Sequence, residues 1–176
     1  AVGDPIGQVA AKVISSKTYL FDSTGEMLDG VYQFTNEVDR VGGAGNLEAG
    51  FYYFNKKEGS VNGQMATGKT AVTFDGETYN YYFDKKGKAY TNAVVDGTLY
   101  KANGVRLDAE ESRMVYEING DDFDDVDITI SNSTATLKIG DEVVVSSTGK
   151  LKKSGTVTID GTKYTLKDYV VQNSAE

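Results

Sequence analysis

The sequence of 176 residues contains no cysteine, no histidine and no tryptophan, and its only proline is Pro5. Without cysteine or histidine the chain cannot form a disulfide framework, a zinc finger, a thiol nucleophile, a histidine-based triad or a histidine-ligated metal site. No apolar run approaches the ~20 residues that a membrane-spanning helix requires. No charged and then apolar segment opens the sequence, so we expect any signal peptide to have been removed.

An excess of positive charge, which nucleic-acid-binding proteins need, is also lacking. The net charge is −8, and residues 108–127 hold nine acids and one base, which accounts for all of it. The rest of the chain is neutral overall and offers no basic face that would neutralise phosphates. We therefore expect no nucleic-acid partner and no insertion into a membrane.

The sequence is rich in glycine and in aromatic residues, with 20 Gly, 12 Tyr and 7 Phe. A unit recurs in which an aromatic strand is followed by a polar turn ending in glycine and then by a second short strand. Tyrosine and phenylalanine favour strands, Asp or Asn can bond to the turn backbone, and glycine supplies a positive φ. Each copy is predicted to be a β-hairpin; the segments are 17–27, 51–59, 79–89 and 98–104, with a fainter fifth at 143–151.

Asp-Gly and Asn-Gly pairs lie between these units, and they are typical of tight two-residue turns between antiparallel strands. Since a lone hairpin is marginal in water, we expect several hairpins to stack and bury a continuous aromatic ladder, as in a solenoid. Residues 35–49 interrupt the series and are interpreted as an insertion, in which the glycine-rich stretch 41–46 forms a flexible loop rather than a P-loop. The pairs are Asp29-Gly30, Asn62-Gly63, Asp75-Gly76, Asp96-Gly97 and Asp160-Gly161.

After Leu107 the aromatic content falls, and apolar residues alternate with polar ones, as in Val126, Ile128 and Ile130. This alternation indicates strands with one face in water. A short helix is an alternative only at residues 8–13 and 108–113. We predict an all-β protein, with stacked, solenoid-like β-hairpin repeats over residues 1–107. Residues 108–176 are expected to form a small antiparallel β domain or a degenerate continuation of the repeats.

The repeat resembles the cell-wall-binding repeat family of Gram-positive surface proteins, which includes choline-binding and glucan-binding modules. The resemblance is carried by segments such as Tyr81–Ala89 and Phe51–Asn55, and it covers residues 11–107. It implies a β-hairpin solenoid that attaches a secreted protein to the cell wall or to extracellular glucan. Choline-binding members of the family use a tryptophan-rich cage between hairpins. This chain has no tryptophan, which disfavours choline as the ligand, so we expect contact with carbohydrate or teichoic acid through tyrosine.

Along the third repeat, Tyr81 and Phe83 are predicted to face one side of the strand and Tyr82 the other. One side must pack on neighbouring hairpins, and a ring on the other side can stack on a sugar or a cation. For any single ring, burial in the core is the competing interpretation. The residues predicted to bind ligand are Tyr19, Tyr52, Tyr53, Tyr81, Tyr82 and Tyr100.

These features predict non-enzymatic attachment to cell-wall polysaccharide, teichoic acid or glucan by an extracellular, wall-associated protein without catalytic residues, metal or cofactor. A glycosidase would need only two carboxylates about 5–10 Å apart, but no acid lies in a plainly apolar stretch of sequence. The alternative is a structural spacer or a protein-interaction module, with other surface proteins as its partners.

The acidic segment Asp121–Asp127 has the carboxylate oxygens that Ca²⁺ prefers as ligands. It lacks the spacing of an EF-hand loop. A solvated, charge-rich loop is therefore the favoured interpretation, with calcium binding as the alternative.

Overall fold

The computed structural model describes residues 9–43, 45–56 and 62–172. These residues form short β-strands joined by turns, with no helix among them, which confirms the all-β prediction. Residues 10–14 are strand, and 108–112 are irregular, so neither alternative helix is present there. The strands are β1 (Ala10–Ile14), β2 (Lys17–Phe21), β3 (Met27–Leu28), β4 (Gly30–Phe34), β5 (Arg40–Val41), β6 (Gly50–Phe54), β7 (Gly68–Phe74), β8 (Glu77–Phe83), β9 (Ala93–Val95), β10 (Thr98–Tyr100), β11 (Arg113–Glu117), β12 (Ile128–Ile130), β13 (Thr136–Leu137), β14 (Glu142–Ser146), β15 (Gly155–Ile159), β16 (Thr162–Lys167) and β17 (Val170–Val171).

The strands pair in small sheets of two to four members. Their orders are β3-β2-β1-β5, β4-β6, β7-β8, β10-β9-β12-β13, β11-β14 and β15-β16-β17. Neighbouring strands pair antiparallel, except that β5 joins β1 and β12 joins β9 in parallel. In the described residues no helix has the length and apolar composition needed to span a bilayer.

The chain divides into two compact units, one of residues 1–72 and 81–89 and the other of residues 73–80 and 90–176. The predicted division at 107/108 separates repeats from tail, and it stays a prediction. The core of the first unit is formed by Ala11, Leu20, Phe34, Val38, Leu47, Tyr52 and Phe54. The main core of the second is formed by Val94, Leu99, Leu107, Ala109, Ile118, Phe123, Ile128, Ile130, Leu137, Val143, Val145 and Leu151.

We number the repeat hairpins 1 to 5 by the residue that enters each turn, in the order Asp22, Asn55, Asp84, Lys101 and Ser146. In hairpin 3, Asp84 N donates to Lys88 O at 2.8 Å and Gly87 N donates to Asp84 O at 3.0 Å. Asp84 Oδ1 also accepts bonds from the backbone N–H groups of Lys86 and Lys88. The side chain thus satisfies turn donors that would otherwise need water, and Gly87 provides the φ of +87°.

Hairpins 1 and 5 have the same turn. Asp22 Oδ1 accepts from Thr24 N and Glu26 N, as Asp84 does from its own turn. In hairpin 5, Ser146 Oγ takes the place of the carboxylate and accepts from Thr148 N and Lys150 N. The weak fifth copy is therefore a true structural repeat, with a hydroxyl performing the task of the acid.

Hairpin 2 differs from the prediction. The sequence suggested Gly59 as its turn glycine, but that residue lies outside the described residues. Gly63 N donates to Asn55 O at 2.6 Å, and Asn55 N donates to Gln64 O. The same two hydrogen bonds close the turn of hairpin 3, where Gly87 N donates to Asp84 O and Asp84 N donates to Lys88 O. Gly63 therefore belongs to the turn of hairpin 2 and does not form a separate turn between repeats.

One hydrogen bond recurs between successive hairpins. The donor is the backbone N–H of the residue two positions after a turn glycine. The acceptor is a backbone carbonyl of the preceding hairpin, four positions before the residue that enters its turn. In the first unit Met65 N donates to Thr18 O (2.8 Å) and Ala89 N to Phe51 O (2.9 Å). In the second unit the pairs are Arg106 N to Asn80 O and Leu151 N to Gly97 O, both 2.8 Å. The common register shows that the hairpins stack in series within each unit, as predicted.

Side chains reinforce this register. Met27 lies over Gly63, Met65 over Gly87, and Arg106 over Gly149, so closely that a Cβ on any of these glycines would come within 2.6 Å of the side chain above it. In each case a residue leaving one hairpin covers the turn glycine of the next. These glycines therefore serve both the turn and the stack.

The tight turns at Asp75-Gly76, Asp96-Gly97 and Asp160-Gly161 are confirmed, since both residues of each pair have positive φ and join paired strands. Asp29-Gly30 is wrong as a hairpin turn. β3 pairs with β2, and β4 pairs with β6, so the chain passes from one sheet to another at this point.

Candidate functional site

A cleft with a volume of about 120 Å³ lies in the first unit. One wall is the insertion 35–49, the other is the turn of hairpin 3, and β6 lies between them. The lining residues are Arg40, Gly45, Asn46, Leu47, Glu48, Tyr52, Asp84, Lys86 and Lys88.

The insertion wall is ordered by its own hydrogen bonds. Val38 and Leu47 exchange two backbone bonds of 2.8 Å, which close residues 38–47 into a loop. Asn46 Oδ1 accepts from Arg40 N at 3.2 Å, while Asn46 Nδ2 donates to Glu37 Oε1 at 2.8 Å. Residues 42, 43, 45 and 46 lie outside the strands, as predicted for a loop, and the Asn46 side chain bonds across this segment; the flexibility of the loop stays a prediction.

The hairpin 3 wall is held by Asp84 and Lys88. The bonds from the turn to Asp84 Oδ1 fix the backbone of Lys86 and Lys88. Lys88 Nζ lies 3.5 Å from Glu48 Oε2, which joins the two walls. The aliphatic stem of Lys88 covers Gly50, where a Cβ would lie 2.9 Å from Lys88 Cε. The ammonium group is therefore positioned both by an ion pair and by packing.

Tyr52 forms the base of the cleft. Its side chain is 1% exposed, and its hydroxyl donates to Glu48 O at 2.8 Å. Its ring stacks on Phe34 with centroids 5.1 Å apart. Burial, followed by the charges of Asp84 and Glu48, raises the pKa of Tyr52 to about 12. The hydroxyl therefore stays protonated and keeps its hydrogen bond across the physiological pH range.

The six predicted ligand-binding tyrosines do not come together in one place. Tyr52 lines the cleft, whereas Tyr19 and Tyr82 are half-buried on their strands. Tyr53, Tyr81 and Tyr100 are buried, with exposed fractions of 5%, 5% and 2%. Their role in binding stays a prediction.

The faces of β8 agree with the predicted alternation. Tyr81 and Phe83 stack on one face with centroids 5.5 Å apart, and Tyr82 lies less buried on the other. Lys69 Nζ lies over the Tyr82 ring, 5.6 Å from its centroid. This is within the distance of a cation–π contact, so a cation of the chain itself covers the ring that had been predicted to meet a ligand.

The acidic segment does not converge on a metal site within the described residues. Asp122 Oδ2 accepts from the Tyr116 hydroxyl at 2.7 Å, and Asp124 Oδ2 accepts from Asn92 Nδ2 at 3.0 Å. Burial and the bond to Asp122 raise the pKa of Tyr116. These two carboxylates therefore act in tying the segment to its neighbours.

Sequence reasoning did not find Arg40, Asn46, Glu48 or Lys88 as site residues. The interruption of the repeats at residues 35–49 was the available signal, because an insertion that a fold tolerates is a common place for function. Nothing in the local pattern showed that this insertion would meet the turn of hairpin 3. That proximity arises from the pairing between hairpins.

No family model matches the chain, and no curated protein sequence matches it. Solved structures do. Choline binding protein F from Streptococcus pneumoniae, crystallised in the presence of a peptidoglycan analogue, is 17% identical with a TM-score of 0.51, and the match covers 92% of this chain and 40% of that one. The chain thus spans less than half the length of that protein.

Two further structures match less closely in shape. CbpJ from Streptococcus pneumoniae is 22% identical over 93% of this chain and 52% of that one, with a TM-score of 0.33. A truncated alternansucrase from Leuconostoc mesenteroides is 19% identical over 64% of this chain and 9% of that one, with a TM-score of 0.35. Because both scores lie below 0.5, the comparison depends on the first structure. The chain has a choline-binding-type repeat fold.

Proposed function

We propose that the protein is a non-enzymatic attachment module that binds bacterial cell-wall glycopolymer or extracellular polysaccharide along its stacked hairpins. The observation that carries this proposal is the common register of the hairpins within each unit, which repeats the same turn and so can form repeated shallow sites. Repeated shallow sites of this kind suit a repetitive polymer, since several weak contacts together give high avidity.

The fold comparison supports the same function. The structure with the TM-score of 0.51 was determined in the presence of a peptidoglycan analogue, a tetrasaccharide-pentapeptide. A related fold has thus been crystallised in the presence of an analogue of a cell-wall polymer. The proposed ligands are cell-wall polysaccharide, teichoic acid and glucan, and the proposed location is extracellular and associated with the cell wall.

Retention on purified Gram-positive cell walls tests this function. The wild-type protein should sediment with the walls and be released by free wall polysaccharide. It should not be released by the same mass of an unrelated neutral polymer such as polyethylene glycol. Failure to sediment, or release by both polymers alike, would contradict specific attachment.

A structural spacer is the second candidate, and the environment of the rings favours it. Tyr53, Tyr81 and Tyr100 are buried, and Lys69 covers Tyr82. A spacer would keep these rings for stability and would show no competition by polysaccharide. The sedimentation experiment therefore separates the two functions.

A further inference from the structure

We propose that the cleft in the first unit is a subsite for a single sugar residue of a neutral polysaccharide, an inference that rests on the proposed function. It assigns recognition to the insertion 35–49 and the turn of hairpin 3 instead of to ring faces between hairpins. The argument depends on the size, chemistry and order of the cleft.

The size of the cleft favours one ring. Its volume of about 120 Å³ is somewhat below the ~150 Å³ of an engineered cavity that accepts benzene. A six-membered sugar ring that enters partly, with its remaining side in water, is matched to this space. A polymer would then cross the mouth of the cleft and insert one residue at a time.

The chemistry of the cleft favours hydroxyl groups. Three cations, Arg40, Lys86 and Lys88, line the cleft together with two carboxylates, Glu48 and Asp84, and the amide of Asn46. A sugar hydroxyl both donates and accepts hydrogen bonds, as the hydroxyls of Ser and Thr do, so it can use both kinds of partner. The lining carries three positive and two negative charges, so one positive charge is left over, and a neutral ligand that uses both kinds of partner is favoured.

The order of the walls lowers the entropic cost of binding. Asn46 is held by Arg40 N and Glu37, and Lys88 is held by Glu48 and by its packing on Gly50. The Tyr52 hydroxyl bonds to the carbonyl of Glu48 and so fixes the backbone of that residue. Side chains that are ordered before binding lose less conformational freedom when the ligand arrives.

Amide chemical shifts, measured during titration with a tetrasaccharide of glucose, test the subsite. We expect saturable shifts at residues 45–48 and 86–88, and weaker binding by about tenfold in Lys86→Ala and in Glu48→Gln, as the loss of one charge-assisted bond implies. Lys85→Ala and Glu26→Gln are the matched controls, because both residues are exposed in turns and neither lines the cleft. The controls should bind as the wild type does.

The possible outcomes separate this inference from the proposed function. Shifts centred on Tyr82 or Tyr19, unaffected by the cleft variants, would overturn the subsite and keep the attachment function. Binding of glycerol-phosphate teichoic acid at the cleft, with no response to the tetrasaccharide, would overturn the choice of a neutral sugar. If the protein sediments with walls but shows no chemical-shift changes with either probe, the subsite is contradicted and the attachment function is kept. If it neither sediments nor shows shift changes, both the subsite and the attachment function are contradicted.

Discussion

Replacing Gly87 by alanine tests the stacking of the hairpins, because Gly25 provides a matched control. The two glycines occupy the same position in hairpins 3 and 1, with φ of +87° and +88°. A Cβ at Gly87 would lie 2.5 Å from Met65 Sδ, whereas a Cβ at Gly25 would meet nothing within 4 Å. The substitutions therefore share the backbone strain, and only Gly87→Ala also disturbs a contact between hairpins.

The expected magnitudes follow from these two effects. An alanine forced into a left-handed conformation costs about 1–2 kcal/mol, which is the whole effect expected at Gly25. Crowding of a packed contact adds about 1–3 kcal/mol, and the lower part of that range applies because the Met65 side chain is flexible. Gly87→Ala should therefore lower the free energy of unfolding by about 1 kcal/mol more than Gly25→Ala, which corresponds to roughly 4–8 °C in Tm for a unit of this size.

Urea and thermal unfolding followed by circular dichroism would measure both variants, with Met65→Ala and the Met65→Ala/Gly87→Ala double variant completing a cycle. If Met65 covers Gly87, truncating Met65 makes room for the new methyl group, and the double variant is more stable than the sum of the single losses implies. Equal losses for Gly25→Ala and Gly87→Ala, together with strict additivity in the cycle, would refute the stacking contact.

Three further predictions concern the cleft, the turns and the covered ring. Tyr52→Phe should remove a pH dependence of stability. Because the folded pKa of about 12 exceeds the ordinary value of 10.0, Tyr52 stabilises the fold below pH 10 and loses this contribution as the pH rises through 12. The free energy of unfolding in urea should therefore fall more steeply between pH 10 and 12 for the wild type than for the variant. Asp84→Ala should cost about 1–2 kcal/mol, as loss of a helix-capping acceptor does, whereas Asp84→Asn, which keeps an acceptor oxygen, should cost less; equal unfolding midpoints for the two variants would contradict the role of Oδ1. Lys69→Ala should leave retention on cell walls unchanged, because the cleft and not the Tyr82 ring is assigned to the ligand; a gain in retention that a further Tyr82→Ala change reverses would contradict that assignment.

The hairpins could be predicted from the sequence because their signals are local. In hairpins 1, 3 and 5, an Asp or Ser that accepts turn N–H groups, with a glycine three residues later, determines the turn without help from distant residues. This explains why even the weak copy at Ser146 adopts the same geometry as Asp84. Alternation likewise predicted which face of β8 carries Tyr81 and Phe83.

The burial of individual rings and the position of the insertion could not be predicted in this way. Tyr52, Tyr53 and Phe54 are consecutive and all buried, because β6 is covered on both faces, and alternation gives no information about such a strand. The turn at Ser15-Ser16 has positive φ without glycine and gave no signal. The parallel pairing of β5 with β1 places the insertion, and it joins residues almost thirty positions apart.

A crystal structure of the protein soaked with saccharides released from purified cell walls tests the central claim most directly. The account predicts density for a sugar residue beside the stacked hairpins, with one ring in the cleft between Asn46 and Lys88. Crystals without bound saccharide at saturating concentration, or a saccharide bound only to the β15-β16-β17 sheet, would contradict it.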